Sequence, residues 1–431
     1  MTEHIDLFKT DLGERGGYDA VSQCSRCGYC LQACPTYVLT GKEAFSARGR
    51  NQVVRMMMEG KIKDIASAEE SLSTCLLCGA CSSACYAHIP TLEFVLEGRR
   101  TIQKGKAHWL VRWAVWLLRD HPHSWSGMLK LAHFAKCLGI SHFLASCGVF
   151  RLLGLQELAA ADSHIEQAPL RFAQDHLRKK DKAEGQEVKP RWLYFASCGT
   201  NFLFPKVALA SFRVLSQCQG KGRFMRNGCC GLLAYNYENV ESAKTSAQKN
   251  IEQFEREKNS LPDRASMVAD CSSCVAFLKN YDQLFLNDLD WKPRAQAFSQ
   301  RVRDVIEVAS PQTLTPRPSF IVTYHDSCRA RNGQGIVLPP RDLLKNLLGD
   351  RYVELSEAEW CCGGAGAYSF VQPELSAEIL RRKISNIAST RAELVLTSST
   401  SCLLQLAYGL KKYYPDCRVM HLSEFLKEHG Q

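Results

Sequence analysis

The chain changes its hydrophobic rhythm several times, and each change predicts a different kind of element. Residues 1–20 are polar and predict an arm or short helix leading into a cysteine-bearing loop. From Arg50 to Gly60 apolar positions recur at helical spacing, with Met56, Met57 and Met58 read as core filler, and Pro90 to Lys104 predicts a second helix. Residues 105–155 keep a helical pattern and carry Trp109, Trp113, Trp116 and Trp125. The run from Trp109 to Leu118 is too short, and too interrupted by Arg112, to cross a bilayer. Residues 156–190 turn polar and end in mixed charge around Gly185 and Pro190, which predicts a linker and a domain boundary. Beyond Trp192 the apolar runs shorten: Trp192–Ala196, Met267–Ala269, Phe320–Tyr324 and Leu394–Thr397 each precede a cysteine, with helical stretches such as Val240–Glu257 and Glu374–Ala388 between them. That alternation predicts α/β layers around a mostly parallel sheet, with reactive side chains at the strand ends.

The cysteines are organised by two repeats. Cys24, Cys27, Cys30 and Cys34 form a CxxCxxCxxxC motif that recurs 51 residues on as Cys75, Cys78, Cys81 and Cys85. This is the spacing by which bacterial ferredoxins hold 4Fe-4S clusters, three close thiolates on one cluster and the fourth reaching the other. Two such clusters are expected, one on Cys24, Cys27, Cys30 and Cys85, the second on Cys75, Cys78, Cys81 and Cys34. Pro35 and Pro90 close the loops, and Tyr86 stands where the first motif has Pro35. The second repeat spans a domain: Cys198 maps to Cys328, Cys229 and Cys230 to Cys361 and Cys362, and Cys274 to Cys402, at offsets of 130, 132 and 128. Two similar lobes facing one another are expected. Cys137 and Cys147 lack ligand spacing and are read as buried structural thiols.

The chain has 431 residues, 45% hydrophobic and 23% charged, enough for several domains with their own cores. Twenty-one cysteines without a basic, apolar leader at the N-terminus fit metal ligation in a reducing cytoplasm better than disulfides. The net charge of +10 is concentrated: between Arg99 and Gly154 nine Lys or Arg face Asp120 alone. No aromatic-spaced basic patch or zinc-finger histidine pair supports nucleic-acid binding. The tryptophans with Lys104, Lys106, Arg112 and Arg119 suit a helix at lipid headgroup level, where Trp and basic side chains are both favoured. Docking on another subunit, and plain core packing, stay open beside that reading.

The lone Cys, Cys-Cys-Gly and CxxC of Cys198, Cys229-Cys230-Gly231 and Cys271-Ser-Ser-Cys274 resemble the cysteine-rich domain of heterodisulfide reductase subunits. The second copy has Cys328, Cys361-Cys362-Gly363-Gly364 and Cys402, with Ser399 in place of a cysteine. The resemblance implies one or two further iron-sulfur clusters; a full five-cysteine set can hold a non-cubane cluster, and the four-thiol copy can hold a standard one. Gly228, Gly231, Gly363, Gly364 and Gly366 let backbone N–H groups approach sulfide. Over essentially the whole chain the layout is similar to the iron-sulfur subunit of glycolate oxidase, whose words are matched by Cys27-Gly28-Tyr29-Cys30, Cys34-Pro35-Thr36-Tyr37 and Ala47-Arg48-Gly49-Arg50. The small subunit of anaerobic glycerol-3-phosphate dehydrogenase shares the layout with a poorer match.

The expected fold is therefore α+β and multidomain: a helical ferredoxin-like two-cluster domain over 1–104, a helical segment and linker over 105–190, and a duplicated α/β cysteine-rich domain over 191–310 and 311–431. No flavin, nicotinamide or catalytic-triad site stands out, and His88 and His325, near cysteines, read as positioning or exposed residues rather than bases. The chain reads as an electron-transfer subunit with no catalytic residue of its own. The resemblance implies an FAD-bearing 2-hydroxy-acid dehydrogenase partner, for glycolate or lactate, with quinone or another acceptor, and a cytoplasmic chain peripheral on the inner face of the membrane. A disulfide reductase acting at the first cysteine-rich site is the alternative, and an assembly scaffold a third.

Overall fold

The computed structural model describes residues 7–10, 13–103, 109–147, 149, 165, 169–183, 189–258, 261–262, 265–310 and 318–430. Lys104 and Lys106, most of 151–168, and the charged stretch 184–188 lie outside them. The N-terminal arm differs from expectation. Leu7–Thr10 (β1) and Gly13–Gly16 (β2) pair antiparallel, and a short helix follows at Gly17–Ser22.

The ferredoxin-like part is two cysteine loops held by helices. Ala47–Met58 starts at Ser46, whose side chain accepts from the Gly49 N–H, and Ile65–Ser73 starts at Asp64, which accepts from the Ser67 N–H. Thr91–Gln103 packs across both, burying Phe94, Val95 and Leu96 with Val54 and Leu72. The methionines 57 and 58 pack against this cluster as filler.

Trp109–Asp120, Pro122–Cys137 and Ile140–Ser146 make the helical middle segment. Val115 and Leu117 are buried, and Val115 joins the core of the first cysteine-rich lobe. Cys137 and Cys147 are exposed, so they are not the buried structural thiols expected. The polar stretch read as a linker contains the helix Ala173–Ala183, whose Ala173 and Leu177, with the preceding Phe172, are buried against that lobe. His176 and Lys179 stay exposed on this docked helix, and polar positions of that kind are why composition alone read as linker.

Each cysteine-rich copy is a parallel sheet covered by helices. The first has strand order β4 (Gly222–Phe224), β3 (Trp192–Phe195), β5 (Ser266–Ala269), β6 (Val302–Asp304). The second has β7 (Val322–Tyr324), β8 (Leu394–Thr397), β9 (Arg418–His421), with a lone parallel bridge between Val322 and Tyr352 where the first copy has β4. β3, β5 and β8 are buried at every central position, as expected for strands covered on both faces. The two sheets share one core: Trp192, Tyr194 and Val268 belong to the same buried cluster as Val322, Tyr324, Leu394 and Leu396.

Candidate iron-sulfur sites

Both ferredoxin loops adopt the same backbone, 51 residues apart. Arg26 and Leu77, between the first and second cysteine of each motif, have φ of 61° and 54°, and Gly28 and Gly79 have φ of 95° and 80°. Two left-handed residues on either side of a cysteine curl the chain so that successive N–H groups turn inward, which suits a negatively charged cluster. The first loop is near the surface. Cys27 is exposed, and so are Tyr29 two residues on and Tyr86 beside Cys85, at 74% and 92%.

The second set is enclosed. One cavity is lined by Cys34, Cys75, Cys78 and Cys81 together with Thr36 and Arg50. Burial and then the sulfurs of Cys75 and Cys34 push the Cys81 thiol up, and burial and Cys328 do the same to Cys78. Thiols crowded this way resist ionising beside one another until cationic charge lies between them. Arg50 supplies part of it. Its guanidinium donates to Thr36 Oγ1 and Thr74 Oγ1 (both 3.0 Å), to the Ser71 carbonyl (2.8 Å) and towards Cys34 Sγ (3.7 Å). Burial alone would lower its pKa, but the sulfurs of Cys75 and Cys34 outweigh that and raise it. Arg99 donates to the Cys75 carbonyl (2.6 Å) and the Leu72 carbonyl (2.9 Å), pinning the loop from the other side.

In the cysteine-rich lobes the thiols sit where parallel strands hand over to helices. Cys198 and Cys328 open the helices Cys198–Phe202 and Cys328–Gln334, and Cys271 precedes Ser272–Leu278. Free N–H groups at such starts favour negative sulfur. The first copy gathers all five cysteines: Cys230 Sγ lies 3.3 Å from Cys274 Sγ, Cys198 hydrogen-bonds Cys229, and Cys271 hydrogen-bonds Cys274. In the second copy Cys328 pairs with Cys361, and Cys362 with Cys402. Gly231 and Gly363 close the Cys-Cys-Gly turns with φ of 88° and 85°, and their N–H groups point at Cys229 Sγ (3.5 Å) and Cys361 Sγ (3.4 Å). A Cβ on Gly363 would meet the Ser376 carbonyl at 2.8 Å, so neither the dihedral nor the space admits a side chain.

The donor sets lie next to one another. Cys78 packs with Cys328, Cys361, Leu76 and Trp360, and Asn332 donates to the Cys78 carbonyl (3.1 Å). The Tyr368 hydroxyl donates to the Thr74 carbonyl (2.8 Å). Across the lobe interface Ser272 donates to the Ser398 carbonyl (2.9 Å, backbone), and Cys271 Sγ meets Thr400 Oγ1 at 3.3 Å. His88 is exposed, as read from sequence, but His325 is fully buried; burial and then Lys383 hold its pKa well below the usual histidine range. The burial of Arg50, the Ser398–Thr400 bridge and the place of His325 were not legible in the spacing; only the Arg50 motif itself carried a signal.

Comparison with known proteins places this architecture. Residues 20–89 match the 4Fe-4S dicluster domain, and 192–279 and 322–407 match the cysteine-rich domain. The chain is 30% identical to the probable glycolate oxidase iron-sulfur subunit of Bacillus subtilis over 441 aligned positions, covering 99% of this chain and 98% of that protein. The chain belongs to the glycolate oxidase iron-sulfur subunit family. A second member, the glycolate oxidase iron-sulfur subunit of Escherichia coli, is 25% identical over 89% of each chain. Lactate utilization protein A of Exiguobacterium is 32% identical over 56% of this chain and 98% of its own length. Like the family, this chain is an iron-sulfur protein with a dicluster domain and a duplicated cysteine-rich domain. The buried, mutually crowded thiols, inward N–H groups and embedded Arg50 fit such groups.

Proposed function

We propose that this chain is the electron-transfer subunit of a 2-hydroxy-acid dehydrogenase complex, taking electrons from an FAD-bearing partner that oxidises glycolate or lactate and delivering them to quinone or another acceptor. The contiguous row of thiol sets carries the reading, from exposed Cys27, through the enclosed set at Cys34, Cys75, Cys78 and Cys81, to the second cysteine-rich site and then the first. Within it, Cys24, Cys27, Cys30 and Cys85 hold one 4Fe-4S cluster and Cys75, Cys78, Cys81 and Cys34 the other. Cys198, Cys229, Cys230, Cys271 and Cys274 hold a further cluster, and so do Cys328, Cys361, Cys362 and Cys402. Bound clusters supply one-electron chemistry; the chain's residues fix their order, burial and surrounding charge. Likeness to the glycolate oxidase and lactate utilization proteins supports an oxidising partner subunit, and the exposed tryptophans support a position on the inner face of the cytoplasmic membrane; the partner's FAD and the quinone acceptor are part of the proposal. Among the described residues no helix is long and apolar enough to cross a membrane.

Disulfide reduction at the first cysteine-rich site would need substrate sulfur to reach thiols of which Cys230, Cys271 and Cys274 are buried. Electron transfer needs no such access. The test is the reconstituted complex carrying Cys24→Ser or Cys75→Ser. Substrate should still bleach the partner's flavin, while quinone reduction falls to background; quinone reduction at the wild-type rate would refute the proposal.

A further inference from the structure

The second cysteine-rich site is one thiol short of its twin, and the lost donor is matched by a gained one. At the offset of 130 that relates Cys198 to Cys328, the residue before the loop is Phe195 in the first copy and His325 in the second. At the offset of 128 that relates Cys274 to Cys402, Cys271 in the first copy becomes Ser399 in the second. Phenylalanine with five cysteines has thus become histidine with four. Ser399 does not stand in as a ligand, because its hydroxyl is turned to the first lobe, 2.9 Å from Ser273 Oγ and 3.7 Å from Cys271 Sγ.

His325 has the geometry of a ligand. It directly follows β7, where its backbone N–H donates to the Leu396 carbonyl (2.9 Å), and its side chain is 0% exposed. A ring nitrogen, Cys362 Sγ and Cys402 Sγ all lie within 4.8 Å of one another. Neither Nδ1 nor Nε2 has a hydrogen-bond partner among the described residues, an orphaning that buried polar groups rarely tolerate. The comparison within the fold is His421, which ends β9: it too is buried, but its Nδ1 accepts from the Ser423 N–H (3.2 Å). Lys383, the buried cation of this region, is turned to the carbonyls of Glu357 and Ala358.

We propose that His325 is a nitrogen ligand to iron in the second cysteine-rich site, completing with Cys328, Cys361, Cys362 and Cys402 a five-donor set in which imidazole replaces the thiolate lost at Ser399. This rests on the reading of that site as an iron-sulfur site. A neutral ligand in place of a thiolate leaves the site one negative charge lighter than its twin, so its midpoint potential lies above that of a five-thiolate site, in the direction seen when histidine replaces cysteine on iron in other iron-sulfur proteins. The two lobes then differ in potential although they share a fold.

Pulsed EPR on the reduced, anaerobically purified full-length chain tests it, with and without 15N-histidine. A coupling of the strength of a directly bound histidine nitrogen should appear, shift with the label, and vanish in His325→Cys, which should keep its iron and sulfide while its midpoint potential falls. Absence of histidine coupling, coupling only of the weak size given by a non-bonded neighbour, or coupling unchanged in His325→Cys would overturn the assignment; the labelled wild type alone suffices if the variant does not fold. Cys362→Ser separates the two levels. Iron and sulfide should fall in that variant; if they fall while the wild type shows no histidine coupling, only the histidine ligand is wrong. If they do not fall, the iron-sulfur reading of the site fails and takes the ligand with it.

Discussion

Arg50 is 1% exposed yet carries a full charge, and the groups its guanidinium meets are hydroxyls, a carbonyl and the sulfur of Cys34. A buried cation needs negative charge nearby, and a thiolate-ligated cluster provides it. The reverse also holds: the cation favours the reduced, more negative state of the cluster. With an effective dielectric of about 20 and a separation of about 6 Å, Coulomb's law gives about 3 kcal/mol, on the order of 100 mV for one electron. Arg50→Gln should therefore lower the midpoint potential of the cluster proposed on Cys34, Cys75, Cys78 and Cys81 by that order and leave the other couples in place. An EPR-monitored redox titration measures it, and an unmoved potential would show that Arg50 is purely structural. At this scale the sequence shows which side chains are able to bind iron, since thiol spacing is a local property. It does not show which polar residues are buried beside them; that depends on what packs over them from elsewhere.

The helix Trp109–Asp120 has two faces of different purpose. Val115 is buried against the first lobe and Leu117 is buried too, while Trp109, Trp113 and Trp116, three to four residues apart, are exposed at 59%, 44% and 44%. Leu131, Phe134, Leu138, Ile140 and Phe143, on the next two helices and the turn between them, are also exposed, so the large apolar side chains cluster in one basic segment. Core packing, one of the readings weighed from the sequence, is observed on one face of this helix; lipid contact on the other face is a proposal. Liposomes containing anionic lipid should carry the protein upward in flotation and release it as salt rises, and replacing Trp109, Trp113 and Trp116 together by Ala should abolish this. Unchanged flotation of the triple variant would favour a docking face for another subunit. The strands missed in the cysteine-rich lobes have a common cause: β4, β6 and β9 are three or four residues long and lie at sheet edges, and each includes an arginine (Arg223, Arg303, Arg418) that breaks the apolar run. The central strands β3, β5 and β8 announce themselves because both their faces are covered.

Across the whole molecule the two cysteine-rich lobes are not separate beads. The last helix, Leu422–His429, belongs to the second copy, yet it packs on Pro205–Gln219 of the first, and Leu422, Phe425 and Leu426 share a core with Ala208, Phe212 and Leu215. Each such side chain contributes roughly 1.5–3 kcal/mol by leaving water. Deleting residues 422–431 should therefore cost about 5 kcal/mol or more and make the first lobe sensitive to protease; limited proteolysis with mass spectrometry reads this, and a first lobe that stays resistant would mean that it folds by itself. The chain alone determined that there are two cysteine repeats, a helical front and an α/β duplicated rear, because motif spacing and hydrophobic period are properties of neighbouring residues. Only the tertiary structure decided that Cys78 lies against Cys328 and Cys361, that Cys271 meets Thr400 across the lobes, and that His325 faces Cys362 and Cys402. Those contacts join residues tens to hundreds of positions apart, and they are set by how sheets and helices bury their apolar faces against one another rather than by any local pattern.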